Sequence, residues 1–61
     1  MREHIPSGMT GEELRAIRHR LKMTQKQFAK ALGRHYITIS DWERGKKPIP
    51  KSIAIAAKAL R

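Results

Sequence analysis

The chain has 61 residues, a length that accommodates one small hydrophobic core and no second domain. It carries 14 lysine and arginine residues against 5 aspartate and glutamate residues, a net charge of +9, and it has no cysteine, which excludes disulfides and a cysteine-ligated zinc site. No apolar run approaches the roughly 20 residues of a membrane span, and the N-terminus lacks the apolar region of a secretory signal, so a cytoplasmic location is expected.

The strong positive charge predicts a polyanionic partner, either nucleic acid or an anionic membrane. This charge is unevenly distributed, because residues 23–61 carry nine basic and two acidic side chains, whereas residues 1–22 carry five and three. A chain of this length also has little stability to spare for a deep catalytic pocket. The composition therefore predicts a binding module and argues against an autonomous enzyme.

Helical sequence is predicted to begin after a flexible arm. Residues 1–8 contain a proline, a serine and a glycine and show no helical apolar period, which is typical of such an arm. Thr10 and Glu13 have the spacing of a capping box, in which each side chain accepts a hydrogen bond from the other residue's backbone. The first helix is predicted over Gly11–Lys22, with apolar residues at helical spacing: Leu14, Ile17 and Leu21.

The second predicted helix repeats this start signal after a short gap. Thr24 and Gln27 form another capping box, and the helix is predicted over Gln25–Leu32. Gly33 marks its end, since glycine tolerates the left-handed conformation that a helix C-terminus needs. The apolar stripe of this helix is short: Phe28, Ala29 and Leu32.

The third helix is predicted over Tyr36–Arg44. Ile39 and Trp42 have helical spacing, and Gly45 is a stop signal. The segment 36–39 also has a local preference for strand, because it is rich in β-branched and aromatic residues. The flanking glycines and the spacing of Ile39 and Trp42 favour the helix.

The fourth helix is predicted to close the chain over Lys51–Arg61. It follows a stiff basic connector, residues 46–50, in which two prolines restrict the backbone. Its predicted apolar face consists of Ile53, Ala56, Ala57 and Leu60. The chain is thus predicted to be all-α, a compact bundle of four short helices.

Two short helices joined by a tight turn in a basic chain indicate a helix-turn-helix. Across these two helices the sequence has the pattern Thr24-Gln25, Phe28-Ala29, Leu32-Gly33, Ile39 and Trp42-Glu43-Arg44-Gly45. With this pattern, and with helices placed on either side, residues 9–60 resemble the phage-repressor and Cro-like (Xre-type) helix-turn-helix family. This resemblance implies a lambda-repressor-like fold whose third helix enters the major groove of DNA while the second crosses the backbone.

The resemblance implies that Tyr36, Ile37 and Asp41 read bases. Ile37 can contact a thymine methyl group, Tyr36 can pack or hydrogen-bond, and Asp41 can accept from a cytosine amino group. In the alternative interpretation, Tyr36 and Ile37 pack in the core and Asp41 helps to cap the helix. The register of the third helix favours the reading role.

Phosphate contacts are expected around the second and third helices. Gln25 opens the second helix, where free backbone N–H groups attract a phosphate, and His35 occupies an N-cap position at which relatives usually have serine or threonine. Charged runs also occur as ordinary solvated faces. The candidates are Gln25, Lys26, Arg34, His35, Thr38, Arg44, Lys46 and Lys47.

Two further assignments follow from the resemblance and the apolar pattern. Arg18 and Glu43 match a family ion pair between the first and third helices, the alternative being two independent surface residues. The fourth helix carries more apolar residues than a core of this size needs, which suggests a dimer interface: Ile49, Ile53, Ile55, Ala59 and Leu60. The histidines lack metal-ligand spacing, and no catalytic group, cofactor or metal is expected.

These residues predict a flexible arm over 1–8 and a DNA-binding domain over 9–61. The leading interpretation is a homodimeric transcription regulator, most simply a repressor, that binds a short inverted repeat in double-stranded DNA. One alternative is an antitoxin-type module that neutralises a protein partner and also binds its own operator. A membrane-active basic peptide is disfavoured, because short capped helices with charges on several faces do not form one continuous amphipathic surface.

Overall fold

A computed structural model of the chain describes residues 9–60. The predicted flexible arm lies outside the described residues. All regular structure in the described range is helical, which confirms the all-α prediction and shows that the strand preference of residues 36–39 does not prevail. The four helices are α1 (Gly11–Arg20), α2 (Gln25–Leu32), α3 (Tyr36–Glu43) and α4 (Lys51–Ala59).

Both predicted capping boxes are confirmed. The Thr10 hydroxyl accepts from the Glu13 N–H at 3.1 Å, while the Glu13 carboxylate accepts from the Thr10 N–H at 2.8 Å. Thr24 and Gln27 make the same pair of bonds at 3.1 and 2.9 Å. These contacts satisfy backbone donors that the first turn of a helix leaves without partners.

The first three helices end in a common motif, in which a residue with positive φ is followed by an amide that donates to the carbonyl five residues earlier. Gly33 and Gly45 supply the positive φ after α2 and α3, at 70° and 77°. After α1, the same position is held by Lys22, with φ 59°. The closing bonds run from Met23 to Arg18 at 3.2 Å, from Arg34 to Ala29 at 2.8 Å and from Lys46 to Asp41 at 2.9 Å.

Three helices end earlier than the sequence predicted. Helix α1 ends at Arg20, two residues before the predicted Lys22, because the chain turns out of the helix without a glycine to signal it. Helix α3 ends at Glu43, one residue before the predicted Arg44. Helix α4 ends at Ala59, although it was predicted to reach the last residue.

The centre of the core contains one fully buried side chain from each of the first three helices. These are Leu14, Phe28 and Ile39, and α4 packs against α1 and α2 in the same core cluster. Burial of each such side chain stabilises the fold by about 1.5–3 kcal/mol. The other buried apolar residues are Ile17, Ala29, Trp42, Ile49, Ile53, Ala54 and Ala57.

The buried face of α4 differs from the predicted one. Ala54 is buried where Ala56 was expected, and Ala56 is exposed. Pro50 precedes the helix as its N-cap, and no side chain caps the first turn. Apolar packing of Ile53 and Ala57 is thus what holds α4 against the other helices.

Gly11 allows α1 to begin directly against the end of α3. A Cβ atom at this position would meet the carbonyl oxygen of Trp42 and would lie 2.5 Å from that of Glu43. The positive end of the α1 dipole therefore faces the negative end of the α3 dipole, a favourable arrangement. The sequence shows the capping box around Gly11 but not the reason for the glycine itself.

We expect Lys22→Gly to stabilise the protein. Glycine adopts positive φ without the steric cost that a residue with a Cβ atom experiences, so the free energy of unfolding should rise by about 1 kcal/mol. Urea denaturation of Lys22→Gly and of Lys22→Ala, which removes the same charge but keeps the Cβ atom, measures the effect. Equal shifts in the two variants would attribute the change to charge and contradict the conformational explanation.

Candidate nucleic-acid interface

Helix α3 buries its later apolar residues and exposes its first turn. Ile39 and Trp42 lie in the core, whereas Tyr36 and Ile37 are 40% and 53% exposed. The alternative in which Tyr36 and Ile37 pack in the core is therefore wrong. Two adjacent large side chains at the start of α3 are available to a ligand.

Asp41 is the least exposed of the three residues assigned to base reading. Its side chain is 17% exposed and lies between two cations, with Oδ1 3.7 Å from Arg44 Nη2 and Oδ2 3.9 Å from Lys47 Nζ. Because these cations are themselves well exposed, each pair contributes little to stability. Their positive charges do offset the repulsion that an acid on this surface would exert on a phosphate.

His35 caps α3 through its ring. Nδ1 accepts a hydrogen bond from the Ile37 N–H at 3.2 Å, which replaces the serine or threonine oxygen usual at an N-cap. The same ring stacks on Tyr36, with centroids 5.0 Å apart and planes inclined by 25°. His35 thus belongs to the scaffold at the start of α3, and it is also exposed.

The start of α2 contacts α3 through two consecutive residues. Gln25 is half-buried, and its Nε2 donates to Glu43 Oε1 at 3.1 Å. Lys26 is exposed and holds its ammonium over the Tyr36 ring, 5.1 Å from the centroid. Both were assigned to phosphate on sequence grounds, and both have a contact within the protein that sequence reasoning missed.

The remaining phosphate candidates lie around α3. Arg34 follows α2, and its Nη1 donates to the Gly33 carbonyl at 3.0 Å. Thr38 is half-buried within the helix, which limits its reach to solvent. The cations after α2 and α3 are all exposed: Arg34, Arg44, Lys46 and Lys47.

A buried carboxylate joins the helices that carry this surface. Glu43 has a fully buried side chain and accepts from Arg18 Nε at 2.6 Å and from Arg18 Nη2 at 3.0 Å. The Arg18 side chain is 13% exposed, and its Nη1 also donates to the Met23 carbonyl at 3.0 Å. With Gln25, these bonds connect α1, α2 and α3 at a single group.

Arg15 adds a second positive charge to this junction. Its Nε lies 3.6 Å from Glu43 Oε1, and its side chain is 48% exposed. Sequence reasoning missed Arg15, although its position three residues before Arg18, on the same side of α1, is a usable signal. Burial raises the pKa of Glu43, but hydrogen bonds from Arg18 and Gln25 and the charges of Arg18 and Arg15 outweigh it, so the net pKa is lowered.

The residues assigned to a dimer interface divide into two groups. Ile49 and Ile53 are buried in the core of the single chain, 6% and 3% exposed, so they have no surface to offer a partner. Their assignment to the interface is wrong, because the connector and the first turn of α4 are drawn inward to cover the other helices. The members left at the surface are Ile55, which is 61% exposed, Ala59, which is exposed, and Leu60, which is half-buried.

Residues 9–60 offer neither a membrane span nor a metal-ion cluster. None of their helices is long and apolar enough to cross a membrane. No three histidine or acidic side chains in this range lie close enough together to hold a metal ion.

Residues 10–60 match a family model described as a helix-turn-helix domain. Because this match covers most of the chain, the protein belongs to the helix-turn-helix family, and the family expected from the sequence is confirmed. Over 52 residues it is 40% identical to the HTH-type transcriptional regulator DicA of Escherichia coli (strain K12). That alignment covers 84% of this chain and 38% of the relative, so the chain spans well under half of the relative's length. No solved structure matches the chain.

We expect the Glu43 junction to make stability depend on pH. The pKa of Glu43 is lowered in the folded state, so the unfolded chain binds more protons as the pH falls below the ordinary glutamate value of about 4.3. The stabilisation is present in full above that value and is lost as the pH falls through the folded-state pKa. Glu43→Gln should lose about 3 kcal/mol at pH 7, because it leaves Arg18 without its counter-ion.

Urea denaturation between pH 3 and pH 7 tests this expectation. Glu43→Gln should show a shallower loss of stability on acidification than the wild-type protein. Glu12→Gln, which removes an exposed carboxylate from α1, serves as the control and should keep the wild-type pH dependence. The same slope in wild type and Glu43→Gln would show that the junction does not contribute.

Proposed function

We propose that the chain is a sequence-specific DNA-binding module of a transcription regulator, most simply a repressor, that inserts α3 into the major groove. The observation that supports this proposal is the exposure of Tyr36 and Ile37 at the start of a helix whose other apolar residues are buried. Thymine methyl groups and base-edge donors and acceptors line the major groove, and an α-helix fits its width. Ile37 suits a thymine methyl, and Tyr36 suits a base edge.

Electrostatics support the same orientation. The exposed cations Arg34, Arg44, Lys46 and Lys47 lie in the segments that flank α3, where the DNA backbone would pass. We assign phosphate contacts to these residues, to Thr38 and to the backbone at the start of α2. If two copies neutralise about six phosphates together, the logarithm of the binding constant should fall with the logarithm of salt concentration with a slope of about −5.

Two copies of the chain are proposed to bind one operator. A single recognition helix buries too little surface for tight specific binding, and a two-fold pair places two such helices about 34 Å apart on an inverted repeat. Of the residues first assigned to this interface, Ile55, Ala59 and Leu60 remain available at the surface for the contact. The likeness to a named transcriptional regulator supports the regulatory role, and the relative's additional length lies beyond what this chain matches.

Ile37→Ala and Lys46→Gln should affect binding differently. Duplexes selected from a random pool by the wild-type protein define the preferred site, and the affinity of each variant is then measured for that site and its single-base changes. Ile37→Ala should relax preference at one base pair and leave the salt slope unchanged. Lys46→Gln should weaken all duplexes alike and reduce the salt slope by roughly 0.9 for each phosphate that the variant no longer neutralises.

Two outcomes would contradict these assignments. If both variants lose affinity uniformly with the same salt slope, the division into base-reading and phosphate contacts is wrong. If the wild-type protein selects no consensus from the pool, sequence-specific recognition itself is refuted.

Ile55→Asp should separate pairing from folding. Because Ile55 is exposed, the free energy of unfolding of the variant should stay within about 0.5 kcal/mol of the wild-type value. Its affinity for a duplex with two half-sites should fall, while its affinity for one half-site should remain unchanged. Ser52→Asp adds the same charge at another exposed position of α4 and is the matched control. Unaltered binding of the two-half-site duplex by Ile55→Asp would remove α4 from the proposed interface.

A further inference from the structure

Three side chains from α2 and the start of α3 form a stack at the exposed end of α3. Lys26 Nζ lies 5.1 Å from the centroid of the Tyr36 ring, within the range of a cation–π contact. The His35 ring lies 5.0 Å from the same ring, inclined by 25°. Tyr36, although 40% exposed, therefore has contacts on its ring before any ligand arrives.

The His35 ring in this stack is held in place by a hydrogen bond. Its Nδ1 accepts from the Ile37 N–H at 3.2 Å, so the ring is held as the cap of α3 and does not turn freely. Lys26 comes from α2 and therefore restrains Tyr36 from a different element. A ring restrained by both contacts loses less conformational freedom on binding than a free side chain would, which favours the bound state.

Gln25 and Lys26, two consecutive residues at the start of α2, contact opposite ends of α3. Gln25 donates to Glu43 at the last residue of α3, and Lys26 contacts Tyr36 at the first. These two positions are seven residues apart, roughly 10 Å along a helix. The first turn of α2 thus contacts both the end of α3, at Glu43, and the side chain of Tyr36 at the start of α3.

We propose that Lys26 is a positioning residue for base recognition, which with His35 holds the Tyr36 ring in one orientation on the surface of α3. In this role, Lys26 determines sequence preference through Tyr36 and does not neutralise a phosphate. The inference rests on the proposed function, because it presumes that Tyr36 contacts a base.

The test compares two substitutions at position 26 on duplexes selected from a random pool by the wild-type protein. Tyr36→Ala first identifies the base pair whose preference depends on this side chain. Lys26→Gln should reduce discrimination at that base pair roughly two- to fivefold, the change expected when an exposed cation–π interaction is removed. Lys26→Arg, which keeps the cation over the ring, should restore it.

The salt slope should stay at its wild-type value in Lys26→Gln. Lys30→Gln removes the same charge from an exposed position one turn later on α2 and should leave both discrimination and slope unchanged. A Lys26→Gln variant with full discrimination but a slope reduced by roughly 0.9 would overturn the proposal, since that is the behaviour of a phosphate contact.

NMR of the free protein tests the stack without DNA. The ε-methylene protons of Lys26 should show a ring-current shift that disappears in Tyr36→Leu. Random-coil shifts in the wild-type protein would overturn the positioning role even if specific binding were found. A clear shift with no selected consensus would instead refute the proposed function and, with it, the role of Lys26 in reading a base.

Discussion

The orientation of α3 depends on the carboxylate of Glu43. It accepts two hydrogen bonds from Arg18 on α1 and one from Gln25 on α2, so three helices meet at one buried group. Apolar contacts alone tolerate small sliding movements, whereas a planar guanidinium facing a carboxylate fixes distance and angle together. The cost of burying the charge is offset because every partner is present, and removal of one leaves the others uncompensated.

This junction has a direct consequence for the exposed surface. Tyr36 and Ile37 project from the opposite end of α3, and their positions are only as well defined as the helix that carries them. Since the first turn of α2 contacts α3 at both ends, the exposed turn is supported by a rigid element. Side chains presented in this way need little rearrangement to meet a partner, in contrast to residues on a loop.

The family and the four-helix fold were accessible from sequence because they depend on local signals: two capping boxes, two glycine stops and apolar spacing. The end of α1 was not, because Lys22 adopts a conformation that usually marks a glycine. The burial of Ile49 and Ile53 was also missed, since spacing shows that a residue is apolar but not which surface covers it. At the candidate site, the sequence did not show the contacts that the assigned residues make within the protein. Gln25 turns inward to Glu43 and Lys26 covers Tyr36, and both contacts depend on how α2 crosses α3.

Helix α4 differs from the other three in how it is anchored. No side chain caps its first turn, and among residues 9–60 no side-chain hydrogen bond or ion pair joins it to the rest of the bundle. The position of α4 therefore depends on the packing of Ile53, Ala54 and Ala57, which are all buried. The bundle is thus held in two ways, because α1, α2 and α3 share a buried ion pair and its hydrogen bonds, whereas α4 is held through its apolar face.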